Sequence, residues 1–113
     1  LETKTSVVKG GVAVVDVHGN LLGGEETTAF QQAVMDLLEQ HCHKLVLDLR
    51  DVPFINSTGL GVLIAAHTSS VRRGCHLLLC NVNNHVNSLL VITGLDRILE
   101  VRETREEAVA ALG

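Results

Sequence analysis

The run Phe54-Ile55-Asn56-Ser57-Thr58-Gly59-Leu60-Gly61 holds the densest chemistry in this 113-residue chain. Its two hydroxyls stand just ahead of Leu60, Leu63, Ile64, His67 and Val71, which recur at the spacing of one helical face. A helix N-terminus exposes unpaired amides and carries partial positive charge, so Ser57 or Thr58 there can do one of two things. The side-chain oxygen can cap the helix, the commoner role for these residue types, and Thr58 at the helix start is the better placed to do so. Alternatively the same amides and dipole favour a phosphate, held on a ligand or attached to a hydroxyl. Asn56 suits the turn that precedes the helix. On residue types alone the plain cap is the preferred reading.

Other constellations carry less. Gly59-Leu60-Gly61 between a strand and a helix has the start of a dinucleotide fingerprint, but Ile64 stands where the third glycine belongs. For a G-x-S-x-G hydrolase elbow the first glycine is replaced by Ile55, and any triad would have to recruit one of six scattered histidines. His41-Cys42-His43 and Cys75-His76 lack the spacing of a structural zinc site, because adjacent side chains point apart. The three cysteines (Cys42, Cys75, Cys80) form an odd set without C-x-x-C, which reads as free thiols in a reducing compartment. The residues thus predict no catalytic group, no metal and no cofactor.

The elements that must position Ser57 follow from periodicity. Ser6–His18 is valine-rich and broken at Gly10-Gly11, the pattern of a hairpin. Gly19–Glu26 reads as a loop, with Gly23-Gly24-Glu25-Glu26 a mobile, solvated segment. A helix is expected over about 27–41, where Phe30, Ala33, Val34, Leu37, Leu38 and His41 share a face. Lys44–Leu49 is a buried strand, and its one carboxylate, Asp48, is expected at the exposed end near the Ser57 loop, since an unpaired buried charge is expensive. Helices over about 58–73, 84–92 and 104–112, a strand over Cys75–Asn81 and a last strand over Ile98–Val101 complete an α/β alternation. Thr104 followed by Glu107 has capping-box spacing. The expected fold is an open mixed sheet that starts with a hairpin and is flanked by about four helices, a single domain over residues 1–113.

Composition narrows the function. With 46% hydrophobic and 19% charged residues the chain can bury a core. Aromatic residues are only 2%, and the net charge is −4, so neither stacking platforms nor a phosphate-tracking surface is available and no nucleic acid partner is expected. No apolar run is long enough to span a membrane and the first residues lack a signal-peptide layout, which predicts a cytoplasmic protein without membrane insertion.

The segments LVLDLRDVPFINSTGLGVLIAA, RRGCHLLLCNV, VITGLDRILEV and the helical TREEAVAAL together resemble the STAS domain of bacterial anti-sigma factor antagonists, over essentially the whole chain. The most specific part is the Asp-Ser-Ser/Thr-Gly-Leu-Gly stretch of that family, where a kinase phosphorylates the first hydroxyl. The resemblance implies Ser57 as the acceptor and Asn56, Ser57, Thr58, Gly59, Leu60 and Gly61 as the partner-facing residues, and with strands ordered as in that family the Gly23–Glu26 segment approaches the same surface. Asp48, placed near it by the cost of burying a charge, is either structural or a further partner-facing residue. It implies partner switching: unmodified, the protein binds an anti-sigma factor that is also a serine kinase, phosphorylation abolishes binding, and a PP2C-type phosphatase restores it. Asn56 departs from the family's aspartate, keeping the hydrogen-bonding shape without the charge. A different reading of the same fold is an unphosphorylated scaffold or small-ligand-binding subunit of a signalling or transport complex.

Overall fold

A computed structural model describes residues 2–40 and 43–113. His41 and Cys42, read above as the end of the first helix and part of a His-Cys-His run, lie outside the described residues, as does Leu1. Strands β1 (Glu2–Val8) and β2 (Val12–His18) form the hairpin in register Val8↔Val12 to Glu2↔His18. They are joined by a 3₁₀ turn, Lys9–Gly11, whose Gly10 and Gly11 adopt φ of 82° and 74°. These left-handed values are why the break in the valine run is a glycine pair. Then follow α1 (Gly24–Glu39), β3 (Lys44–Asp51), α2 (Ser57–Arg72), β4 (His76–Cys80), α3 (Asn84–Thr93), β5 (Val101–Arg102) and α4 (Arg105–Leu112).

Strand order is β1-β2-β3-β4-β5, antiparallel only in the hairpin. Each parallel strand is added next to its predecessor, so crossovers of one hand place α1, α2 and α3 on the same face of the sheet. The core there joins Phe30, Val34 and Leu38 of α1, Leu60, Leu63 and Ala66 of α2, and Val86 and Leu90 of α3 to alternate strand residues such as Val15, Leu47 and Leu79. Strand residues of opposite parity, Val12, Val14, Val46, Leu78 and Cys80, face the other way and are covered by Ala108 and Leu112 of α4. Both faces of the inner strands are therefore buried, which accounts for the apolar runs Leu45-Val46-Leu47 and Leu77-Leu78-Leu79.

Two expectations are corrected. Gly23–Glu26 is not a mobile loop. Gly24, Glu25 and Glu26 form the first turn of α1, with the Gly23 amide donating to Thr27 Oγ1 at 2.9 Å and both acids placed to complement the helix dipole. The last strand is Val101–Arg102 and not Ile98–Val101. A 3₁₀ turn over Leu95–Arg97 precedes it, and Ile98 is half exposed, so only Leu99 of that apolar pair serves the core. Thr104 caps α4 as its spacing predicts, accepting from the Glu107 amide at 3.1 Å.

Candidate functional site: the start of α2

The loop after β2 and the loop before α2 are fastened to each other. Leu21 and Ile55 form an isolated parallel bridge. The Leu21 amide donates to the Phe54 carbonyl at 3.1 Å, and the Asn56 amide donates to the Leu21 carbonyl at 3.2 Å. Asn20 Oδ1 accepts from the Phe54 amide at 3.3 Å. Leu21 and Ile55 point inward and are buried, so the apolar effect locks a junction that hydrogen bonds align.

Asn56 is the keystone of this junction, and the cap is Asn56, not Thr58. Its Oδ1 accepts from the Gly59 amide at 3.0 Å, capping α2, while its Nδ2 donates to the Leu22 carbonyl at 2.8 Å. An aspartate can do the first and not the second, because a carboxylate has no hydrogen to give. Asparagine at this position therefore adds a tie from α2 to the entry of α1. Asn56, Ser57 and Thr58 are all exposed. Ser57 is the first residue of α2, and among the described residues its hydroxyl has no hydrogen-bond partner. Thr58 is hemmed in: a Cβ on Gly23 would lie 3.2 Å from its methyl carbon, so the entry of α1 does come alongside the start of α2.

Gly59 is buried and Leu60 is buried in the core, while Gly61 faces solvent. A side chain at residue 59 would collide with the Leu21 carbonyl oxygen and come within 2.6 Å of Ile55 Cγ1. Gly59 thus permits the close approach of helix to junction, and of the predicted partner-facing residues it and Leu60 are structural supports. The exposed residues of the junction itself, Leu22, Phe54, Asn56, Ser57, Thr58 and Gly61, carry no charge, and the nearest acids in sequence, Glu25 and Glu26, stand exposed in the first turn of α1.

Asp48 is elsewhere. It is 3% exposed and lies under α4, on the sheet face opposite α2, not at an exposed strand end near Ser57. Arg105 of α4 donates to it through Nε and Nη2, both at 2.9 Å, and also to Asp16 on β2. Asn81 Nδ2 donates to the two Asp48 oxygens at 3.1 and 3.2 Å, and the Arg50 amide to Oδ1 at 3.0 Å. A buried carboxylate is tolerable when it is this fully partnered. Sequence reading missed Arg105, although a lone carboxylate in an apolar strand was itself a signal that a cation comes to it. Burial, and after it the Asp48 charge, push the neighbouring Cys80 thiol up to about 12. Burial opposes the Arg105 charge, but its bonds to the carboxylates outweigh that and raise its pKa.

A mixed five-stranded sheet with α1, α2 and α3 on one face and α4 on the other, presenting a helix start whose exposed hydroxyl has no hydrogen-bond partner among the described residues, defines a small α/β domain. The chain belongs to the STAS domain family, whose model matches residues 3–108. It is 29% identical over 104 residues to the anti-sigma F factor antagonist of Paenibacillus polymyxa, covering 90% of this chain and 87% of that protein. The crystal structure of an anti-sigma factor antagonist from Mycobacterium paratuberculosis superposes with a TM-score of 0.86 at 25% identity, over 98% of this chain and 92% of that one. The phosphorylated form of the Bacillus cell fate determinant SpoIIAA shares the fold at a TM-score of 0.75 and 15% identity, over 99% and 100% of the two chains. No helix among the described residues is long and apolar enough to cross a membrane.

Proposed function

We propose that this chain is an anti-sigma factor antagonist that works by partner switching in the bacterial cytoplasm. With Ser57 unmodified it binds an anti-sigma factor that has serine kinase activity. Phosphorylation of Ser57 by that partner ends the binding, and a PP2C-type phosphatase restores it. The chain is then an enzyme's substrate and not itself an enzyme. The observation that carries this reading is the Ser57 hydroxyl, exposed, without a hydrogen-bond partner among the described residues, and fixed at the first residue of α2 by the Asn56 cap. Relatives named as anti-sigma factor antagonists supply the partner class.

The switch acts through the interface. A phosphate brings about −1.5 to −2 charges at pH 7, which the N-terminus of α2 tolerates. An uncharged contact surface does not, since a dianion desolvated there lowers affinity tenfold for every ~1.4 kcal/mol of cost. The partner contacts are Asn56, Ser57, Thr58 and Gly61, with Gly59 and Leu60 holding them in place. Intact mass of the chain purified from its own host, before and after phosphatase treatment, should show one phosphate, and phosphopeptide mapping should place it on Ser57. Ser57→Asp should bind the purified anti-sigma factor at least tenfold more weakly, while Ser57→Ala binds but is not phosphorylated. A chain that never carries phosphate, or carries it on Thr58, would overturn the proposal and leave the scaffold reading.

A further inference from the structure

The junction that fixes Ser57 also turns two large apolar side chains outward. Leu21 and Ile55 point into the core, so their neighbours Leu22 and Phe54 alternate to the solvent side, where they are 49% and 54% exposed. Exposed apolar residues are ordinary in themselves, and Val7, Val71 and Ile92 are exposed elsewhere. What distinguishes this pair is rigidity and place. Phe54 is held by backbone bonds on both sides, its amide to Asn20 and its carbonyl to Leu21. Its ring meets His85 of α3 edge-on, centroids 5.2 Å apart at 73°. Leu22 is held through its carbonyl by Asn56 Nδ2. The residue that caps α2 beneath Ser57 is therefore bonded to Leu22 and lies two positions from Phe54.

We infer that Leu22 and Phe54, the exposed apolar residues of the junction that fixes Ser57, are the apolar anchors by which the anti-sigma factor grips this chain. The inference rests on the function proposed above and extends it from the switch to the grip. The occupant is a protein whose surface offers two apolar sockets next to an uncharged contact for the Ser57 hydroxyl. A backbone already fixed before binding loses little freedom in the complex, the Phe54 ring is further steadied by His85, and aromatic anchors ringed by neutral contacts carry most of an interface's energy. The anchors also account for the force of the switch: by excluding water around Ser57 they make a phosphate there more costly than it would be on an open surface.

The test uses the whole chain and a purified anti-sigma factor that binds it, titrated calorimetrically. Phe54→Ala and Leu22→Ala should each weaken binding by about tenfold or more. Phe54→Leu should fall between wild type and Phe54→Ala, and Ile92→Ala, in the last turns of α3, should bind within twofold of wild type. Thermal unfolding of all four should stay within a few degrees of wild type. If Phe54→Ala and Leu22→Ala bind as wild type does while Ser57→Asp does not, the anchors are refuted and the switch stands. If no anti-sigma factor binds the wild-type chain, the function proposed above fails, and the anchors fail with it. Sedimentation closes the remaining route: a wild-type dimer that Phe54→Ala turns into a monomer would assign the patch to a second copy of this chain and overturn the inference.

Discussion

Gly59 and Gly61 lie two residues apart in α2, and alanine at each should change stability in opposite directions. In helix interiors alanine is favoured over glycine by about 0.8–1 kcal/mol, a gain open to Gly61 and an upper limit for Gly59, which sits in the first turn. At Gly61 nothing lies within 4 Å of the added Cβ, and the gain is realised at roughly 0.5–1 kcal/mol. At Gly59 the methyl meets the Leu21 carbonyl oxygen, Ile55 Cγ1 at 2.6 Å and Leu21 Cβ at 2.9 Å. Overpacking costs about 1–3 kcal/mol where side chains can yield. Here the obstacle is a backbone carbonyl that accepts the Asn56 amide, so about 1 kcal/mol of hydrogen bonding is lost as well. The expected net loss for Gly59→Ala is about 2–3 kcal/mol, at the upper end of the overpacking range. At roughly 4 °C per kcal/mol for a domain of this size, Gly59→Ala should melt about 10–15 °C below Gly61→Ala. Circular dichroism at 222 nm against temperature, with urea titration for ΔG, measures this. Variants within about 1 kcal/mol of each other would refute the argument that Gly59 exists to admit the Leu21–Ile55 junction.

Arg105→Leu should cost about 3 kcal/mol, because it strands the buried Asp48 carboxylate, and proteolysis should then cut first in the segment from 103 to 113. Asn56→Asp should keep the cap and gain from the helix dipole while losing the tie to Leu22, so its stability should lie within about 1 kcal/mol of wild type, whereas Asn56→Ala loses both contacts and about 1–2 kcal/mol. Cys80 has a folded pKa of about 12 against 9.0 for a free thiol. It is neutral in both states below pH 9, and between pH 9 and 12 only the unfolded chain gives up the proton, so its contribution to stability should fall across that window. Comparing alkaline unfolding of wild type with Cys80→Ala tests the sign, and alkylation mapped by mass spectrometry should find Cys80 unreactive until the chain unfolds.

Local patterns were legible and distant partnerships were not. The hairpin, the buried strand at Lys44–Asp51 and the three later helices follow from periodicity and from Gly, Asn and Thr at their ends. The start of α1 was obscured because Gly23 and Gly24 take φ of 97° and 80°, values that read as loop although the helix begins there. Ile98 and Leu99 read as strand because apolar identity does not distinguish a residue facing solvent from one facing the core. At the site, Asn56, Ser57 and Thr58 are all good caps, and their order alone does not select among them. What selects Asn56 is a second bond to Leu22, 34 residues earlier in the chain. Asp48 was misplaced for the same reason, its cation lying 57 residues away.

The strand order has a kinetic consequence. Because the strands join the sheet in the order of the sequence, each new one finds its neighbour already laid down, and the sheet can grow outward during synthesis without waiting for distant segments. Only α4 breaks that rule. Arg105 must reach back 89 residues to Asp16, and until it does, Val12, Val14, Val46 and Leu78 form an open apolar surface with a carboxylate in its midst. The growing chain therefore keeps that surface open from the making of the fourth strand until the last helix arrives, and the arrival of Arg105 between Asp16 and Asp48 pairs the carboxylates as Ala108 and Leu112 cover the apolar residues.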